Sequence, residues 1–510
     1  MRRWRNELQV GAILSYTQIG VQFIVAILYT PVMLRILGQA EFGLYSLVAS
    51  MVSYLNLLSF GFGGAYMRFY ARFRVVEDWG GVRRLNGMFL LVFSAMGFLA
   101  AACGAFLTFN VEAVLGREFS AGELDTARIL FAILTVNLAI TFPASVINSY
   151  ITAHERFIFQ KSLLIINTIA TPLVILPVLL LGYRSVGMAI GATLVNIAFT
   201  AYSAKFAWSR LEMRFAFKGM KLGLLREVAV FSSFLFVNMV VDQVNWNVDK
   251  FIIGVYHGAS PVAVYSVASL FSGLYIALAT AISSVFVPRV NRLVAAGSSN
   301  SELGELFTRV GRWQFLVLGL VLSGFVFFGR PFIVLWGGPD YAGSFYVALL
   351  LMVPVTALLI QNLGVEIQKA KNLHQFRSLV SLGVAIGNVL LSIPLTQRYQ
   401  GLGAAAGTAM SLIIGNVIIM NWYYQARVGL DIRVFWGQMF ILSRGMVPAL
   451  AAGVAIGNLI DISRIELLLL FGALYVAIYA AGVWWLGMND YERLLIKSLV
   501  LRLVPRRGEK

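Results

Sequence analysis

Cysteine is almost missing from this chain of 510 residues. The single one, Cys103, lies inside an apolar run, which excludes a disulfide framework, a zinc spacing and a redox pair. Histidine is nearly as scarce: His154, His257 and His374 fall in separate connecting segments, where lone histidines are expected to be solvated. Charge is low as well, at 12% of residues against 59% hydrophobic. A soluble protein of this size could not carry that composition without large exposed apolar patches, so the chain belongs in a membrane. No connection between apolar runs exceeds about 25 residues, which leaves no room for a soluble domain and places any function on the helices and short loops.

What is present is a succession of apolar runs, each long enough at about 1.5 Å per residue to cross roughly 30 Å of hydrocarbon. Fourteen helices are predicted, at 10–35, 43–67, 87–109, 127–150, 162–182, 186–207, 228–254, 262–287, 313–336, 344–366, 378–396, 402–424, 445–461 and 466–487. The N-terminal run is too long for a signal-peptide core and lacks a small-x-small cleavage site, so it reads as a retained first span. The net charge of +17 comes from short Lys and Arg clusters, not a continuous basic stripe, which argues against nucleic acid as a partner. Most of these clusters fall on alternate connections and on the two tails. By the positive-inside pattern both termini are expected in the cytoplasm.

The chain also echoes itself. "LYSLVAS" from Leu44 falls on "VYSVASL" from Val264 at an offset of 220 residues, and Gly38 falls on Gly258. "SVGMAIGATL" from Ser185 falls on "GLGAAAGTAM" from Gly401 at an offset of 216. The expected fold is therefore an all-α polytopic membrane protein of about fourteen transmembrane helices, with two parallel-repeat six-helix lobes and two further helices. The expected divisions are 1–226, 227–427 and 428–510, the last including a basic cytoplasmic tail.

Parallel repeats place a substrate site between the halves. In "VNMVVDQVNWNVDKFIIG", Asn238, Asp242, Asn245 and Asp249 follow the spacing i, i+4, i+7, i+11 and form one polar stripe. Sliding back 220 residues gives Gln18, Gln22, Val25 and Tyr29, of which three are polar. Lipid is a costly neighbour for such groups, so the stripes are expected to line a hydrated cavity. Counted from Val228, Asp242 lies about 21 Å into its helix, and Asp249 and Lys250 lie at roughly 32 Å, near the outer interface. Depth therefore favours Asp242 as the functional acid and an interfacial pair for Asp249 and Lys250. Arg35, at the end of the first helix, is a further cavity-lining candidate. The "FGFGGA" run from Phe60 is no phosphate loop, because no Lys-Ser/Thr follows; it reads as close packing or a break. Pro143, Pro172, Pro177 and Pro354 allow kinks inside spans.

Several segments carry a family likeness: "YTPVMLRILGQAEFGLYSLVAS", "LLSFGFGGAYMRFYARF", "NVDKFIIGVYHG", "ITFPASVINSYITAHERFIFQK" and "YQGLGAAAGTAMSL". Over nearly its whole length the chain resembles the bacterial polysaccharide-export or O-antigen type flippases of the multidrug/oligosaccharidyl-lipid/polysaccharide exporter superfamily. The resemblance implies a non-enzymatic transporter in the bacterial inner membrane. It would move a polyprenyl-pyrophosphate-linked oligosaccharide from the cytoplasmic to the outer leaflet by alternating access of two lobes. Membrane lipids, a polysaccharide polymerase and glycosyltransferases are the implied partners. In relatives a cationic cavity accommodates the anionic pyrophosphate, a role the resemblance gives here to Arg35 and Lys250. The acid-rich stripe departs from a simply cationic cavity, and one hypothesis is that Asp242 or Asp249 binds Na⁺ or a proton and couples it to transport. Competing expectations are a multidrug or cation antiporter of the same superfamily, a cell-wall precursor flippase, and an integral membrane glycosyltransferase or polymerase.

Overall fold

The computed structural model describes residues 2–116, 118–219 and 222–503; the basic tail from 504 onward lies outside the described residues. In chain order the helices are α1 (Arg2–Tyr54), α2 (Phe62–Val75), α3 (Trp79–Phe109), α4 (Val111–Leu115), α5 (Ala121–Ala153), α6 (Phe157–Leu180), α7 (Arg184–Leu211), α8 (Leu222–His257), α9 (Ala259–Ser284) and α10 (Val287–Ala295). They continue as α11 (Asn300–Gly337), α12 (Ser344–Ile360), α13 (Asn362–Ala370), α14 (Gln375–Leu412), α15 (Met420–Tyr423), α16 (Ile432–Ser443), α17 (Val447–Leu459), α18 (Ile465–Gly482) and α19 (Asp490–Leu503). No strand occurs among the described residues.

Twelve helical stretches are long and apolar enough to cross a membrane, among the described residues. This is a multi-pass α-helical membrane protein. The two longest stretches, Ile13–Val75 and Gln375–Val428, have 63 and 54 residues, more than twice the roughly 20 a single crossing needs. Each contains a break where sequence placed a loop between two helices. Gly38 (φ 75, ψ 171) interrupts α1, and Gln400 (φ 52, ψ −135) interrupts α14. One left-handed residue is enough to turn the chain, so helix resumes at once and the expected loops vanish. The glycine run behaves similarly: Phe60 and Gly61 are both left-handed, and a Cβ on Gly61 would sit 2.7 Å from Leu235 Cβ.

The left-handed residues repeat along the chain. Gly38 and Gly258, Glu77 and Gly297, Gly116 and Gly338, Glu155 and Asn372, Arg184 and Gln400, and Glu212 and Gly429 all have positive φ, and the members of each pair lie 216 to 222 residues apart. Several of these positions are not glycine in one or both copies, although non-glycine residues avoid this region at a cost of about 1 kcal/mol or more. Conformation is kept where the side chain is not.

Contacts divide the chain into two compact units. The first is Met1–Val267 with Ala385–Thr408, and the second is Ala268–Val384 with Ala409–Lys510. In the first, α3 packs on α5, α1 on α6, and α5 and α6 both pack on α7. Buried polar links secure it: Tyr66 Oη donates to Asn86 Oδ1 at 2.6 Å, and Asn86 Nδ2 donates to the Arg214 carbonyl at 3.0 Å. Two histidines expected to be solvated are half-buried instead. His154 has Nδ1 2.9 Å from the Tyr150 carbonyl and Nε2 3.0 Å from Tyr70 Oη; His257 Nε2 is 2.7 Å from the Thr396 carbonyl. Burial pushes the His154 imidazole below its ordinary value. His374 is exposed, as expected.

In the second unit, α11 packs on α12 and on α16 to α18, around a core that includes Leu316, Phe328, Leu442, Met446, Tyr475 and Tyr479. A buried ion pair ties it to the chain's end. Arg312 Nε and Nη2 donate to Glu492 Oε1 and Oε2 at 2.6 and 2.7 Å. Its remaining N–H groups reach the Gln438 and Gly487 carbonyls at 3.1 and 3.0 Å. Satisfying nearly every donor of a buried guanidinium is what offsets its desolvation.

Candidate functional site

The sequence-derived polar stripe lies along α8, but its members meet different surroundings. Asn238 and Asp242 are exposed, Asn245 and Lys250 are half-buried, and Asp249 is 2% exposed. On the equivalent face of α1, Gln18 and Tyr29 are half-buried, while Gln22 and Arg35 are exposed. Gln18 Oε1 accepts from Lys161 Nζ at 3.4 Å, and Tyr29 Oη donates to Met188 Sδ at 3.8 Å. Polar partners gather around Asp249.

Two turns in the chain build that gathering. At Gly258 (φ 75) the chain leaves α8 for α9 and brings Tyr265 to Asp249, where Tyr265 Oη donates to Asp249 Oδ2 at 2.5 Å. At Gln400 the two halves of α14 fold against each other. Gly403 and Gly407 make this possible, because Cβ atoms there would lie 2.0 Å from the Leu395 carbonyl oxygen and 2.5 Å from Ser392 Oγ. The small-xxx-small spacing lets the backbones meet. Thr408 then faces Asn388, and Ser392 faces Ala404.

The result is a connected set of oxygens in a membrane-spanning region. Thr408 Oγ1 lies 2.6 Å from Asp249 Oδ2 and 3.0 Å from Asn388 Oδ1. Ser392 Oγ lies 2.8 Å from Asn388 Oδ1 and 3.2 Å from the Ala404 carbonyl, and it is close enough to interact with the Asp249 carboxylate. Asn388, Ser392 and Thr408 are buried. One hydroxyl proton cannot serve both of Thr408's acceptors, so the set has more acceptor oxygens than donors to fill them. Asp249 Oδ1, Asn245 Oδ1 and Tyr54 Oη are buried with no hydrogen-bond partner. A buried carboxylate with an unpaired oxygen is costly unless a cation or proton compensates it.

The donor set defines what fits. It consists of hard oxygens, from one carboxylate, a side-chain amide, two hydroxyls and a backbone carbonyl. A single negative charge among neutral oxygens balances a monovalent cation; divalent ions usually collect more carboxylates. No group of three or more His, Cys, Asp or Glu residues suited to a metal occurs among the described residues.

Tyr265, Asn388, Ser392 and Thr408 are absent from the sequence-derived candidates. One signal for them was available: Asn388, Ser392 and Thr396 stand at i, i+4 and i+8 in "GNVLLSIPLT", the same kind of polar stripe that marked α8.

An α-helical membrane protein with a buried oxygen site and no enzymatic constellation is a transporter by architecture. A family profile described as polysaccharide biosynthesis protein matches residues 9–294, more than half of the chain, and the chain belongs to that family. Its fold is similar to that of the lipid II flippase MurJ in an inward closed conformation, with a TM-score of 0.73 and 14% identity over 96% of this chain and 99% of that one. It is also similar to an inward-facing multidrug resistance MATE family transporter of the MOP superfamily, with a TM-score of 0.64 and 13% identity over 83% of this chain and 99% of that one. A MOP superfamily transporter from Pyrococcus furiosus gives a TM-score of 0.54 at 12% identity, over 82% of this chain and 95% of that one. No curated protein matches the chain in sequence. The family is one of transporters, not enzymes, and the general role of this chain is that of a flippase or transporter of the MOP superfamily.

Proposed function

We propose that the protein flips polyprenyl-pyrophosphate-linked oligosaccharide repeat units from the cytoplasmic to the outer leaflet of the bacterial inner membrane, for surface polysaccharide synthesis. The observation that carries this reading is the Asp249 oxygen site within a chain of the polysaccharide biosynthesis family. A pyrophosphate and a sugar chain cannot cross lipid unaided, and moving them in one direction needs an energy source. Asp249, Asn388, Ser392, Thr408 and the Ala404 carbonyl would hold Na⁺ and so neutralise the buried carboxylate. With the cation released, Asp249 keeps an uncompensated charge in low dielectric, which favours a conformation that rehydrates it. The recurrence of left-handed breaks at a near-constant offset supports two six-helix repeats that alternate access, within fourteen crossings and with both termini cytoplasmic. Arg35 and Lys250 are the cations proposed to meet the pyrophosphate. Glycosyltransferases that build the unit and a polymerase that consumes it are the expected partners.

The test is deletion of the gene in the cell that carries it. Lipid-linked oligosaccharide is expected to accumulate in the inner leaflet while surface polysaccharide falls. Unchanged surface polysaccharide, with no second transporter present, would refute the proposal. Export of cationic dyes instead would favour an antiporter.

A further inference from the structure

A second polar constellation lies in the same unit, among α5, α6 and α7. They enclose a cavity of about 330 Å³, at the small end of ligand-binding pockets, which run from about 300 Å³ upward. Its lining is unusual for a membrane span: Asn148 from α5, Gln160, Lys161 and Asn167 from α6, Asn196 from α7, and the ring of Phe199. No acidic residue lines it.

The side chains are held from behind. Asn196 Nδ2 donates to Asn137 Oδ1 at 2.5 Å and to Thr141 Oγ1 at 3.0 Å, which leaves its Oδ1 as an acceptor for a ligand. Gln160 Nε2 donates to Thr152 Oγ1, so its Oε1 is the acceptor that remains. Lys161 Nζ donates to the neutral Gln18 Oε1 at 3.4 Å, so its charge meets no carboxylate there. Phe159, beside Lys161, stacks on Phe206 with ring centroids 3.7 Å apart and nearly parallel, which stiffens the start of α6. Acyl chains are a poor occupant for four amides and an ammonium.

We propose that this cavity is a recognition site for the glycan-phosphate head of the lipid-linked cargo. The amides would take sugar hydroxyls, Phe199 would take a sugar face, and Lys161 would take a phosphate oxygen. The proposal rests on the function given above and assigns its cargo contact to residues distinct from the Asp249 site. Volume limits the contact to one or two sugar rings. With cytoplasmic termini, the connection between α5 and α6 is cytoplasmic, so the cavity opens at the leaflet from which the cargo is loaded.

An ordinary phospholipid shares the phosphate but not the sugar, and photocrosslinking separates the two. Phe199→benzoylphenylalanine, introduced into the full chain in its own cells, should yield on illumination adducts whose mass contains both phosphate and glycan. Leu194→benzoylphenylalanine, at an exposed position on the same helix, should yield phospholipid adducts alone. Adding Lys161→Ala or Asn167→Ala should cut the glycan adduct at Phe199 about tenfold, as loss of a charged or amide hydrogen bond does, without lowering protein level or Tm. Phospholipid adducts alone at Phe199, in cells that still depend on the protein for surface polysaccharide, would overturn the pocket and leave the transport reading standing. An undiminished glycan adduct in both variants would also overturn it. Gene deletion without effect on surface polysaccharide would overturn the transport reading itself.

Discussion

The two repeats set the same backbone turn against different chemistry. Gly38 and Gly258 both have φ 75, and around them Tyr45 corresponds to Tyr265 and Tyr29 to Asp249. In the second repeat the turn delivers a tyrosine hydroxyl to a buried carboxylate that α14 completes with Thr408 and Asn388. In the first, Tyr29 donates to the sulfur of Met188, which stands where the second repeat has Ala404. A duplicated frame has kept its turns and changed what they present. The second copy holds a single charge among neutral oxygens, suited to a cation; the first offers amides, a lysine and an aromatic ring, suited to a phosphorylated sugar. Coupling and cargo recognition are thereby separated.

Substitutions can break or sharpen that contrast. The largest effect is expected from Asp249→Asn, which removes the site's only charge. Cation-driven flipping in proteoliposomes should fall by about tenfold or more, the scale of a lost charged interaction, while the melting temperature holds or rises because an unpaired buried charge is gone. Next comes Thr408→Val, which keeps shape and deletes the oxygen bridging Asp249 and Asn388. Its Na⁺ affinity, read by titration calorimetry, should weaken up to about tenfold. Gly403→Ala should act on stability, since its methyl meets the Leu395 carbonyl; about 1 to 3 kcal/mol of overpacking is expected as a lower Tm in detergent. Smallest of all should be Tyr29→Phe, within about 0.5 kcal/mol and with no change in Na⁺ dependence, because a sulfur acceptor gives a weak hydrogen bond. A large effect at Tyr29 would mean that the first repeat shares in coupling.

Much of this was legible in the sequence, and the misses have physical causes. Apolar runs of spanning length announced the helices, and the offset matches at Leu44 and Val264 announced the repeat, because both depend on local pattern alone. Depth was misjudged: the span from Gly223 to His257 has 35 residues, about 52 Å of helix, well beyond the hydrocarbon thickness, so counting from one end does not locate the bilayer centre. That count ranked Asp242 above Asp249, whereas the hydrogen-bond partners converge on Asp249. Thr408 and Asn388 were invisible as a pair because their meeting depends on the fold-back at Gln400, where nothing in the residue type announces a left-handed turn. The amides of the α5 to α7 cavity lie on three helices, so no single helical stripe reveals them.

The central claim is that the second repeat binds one monovalent cation through Asp249. Equilibrium binding of radioactive Na⁺ to the purified full chain tests it most directly. One Na⁺ per chain is expected for the native protein and none for Asp249→Asn at the same concentration; equal binding by the two proteins would contradict the account.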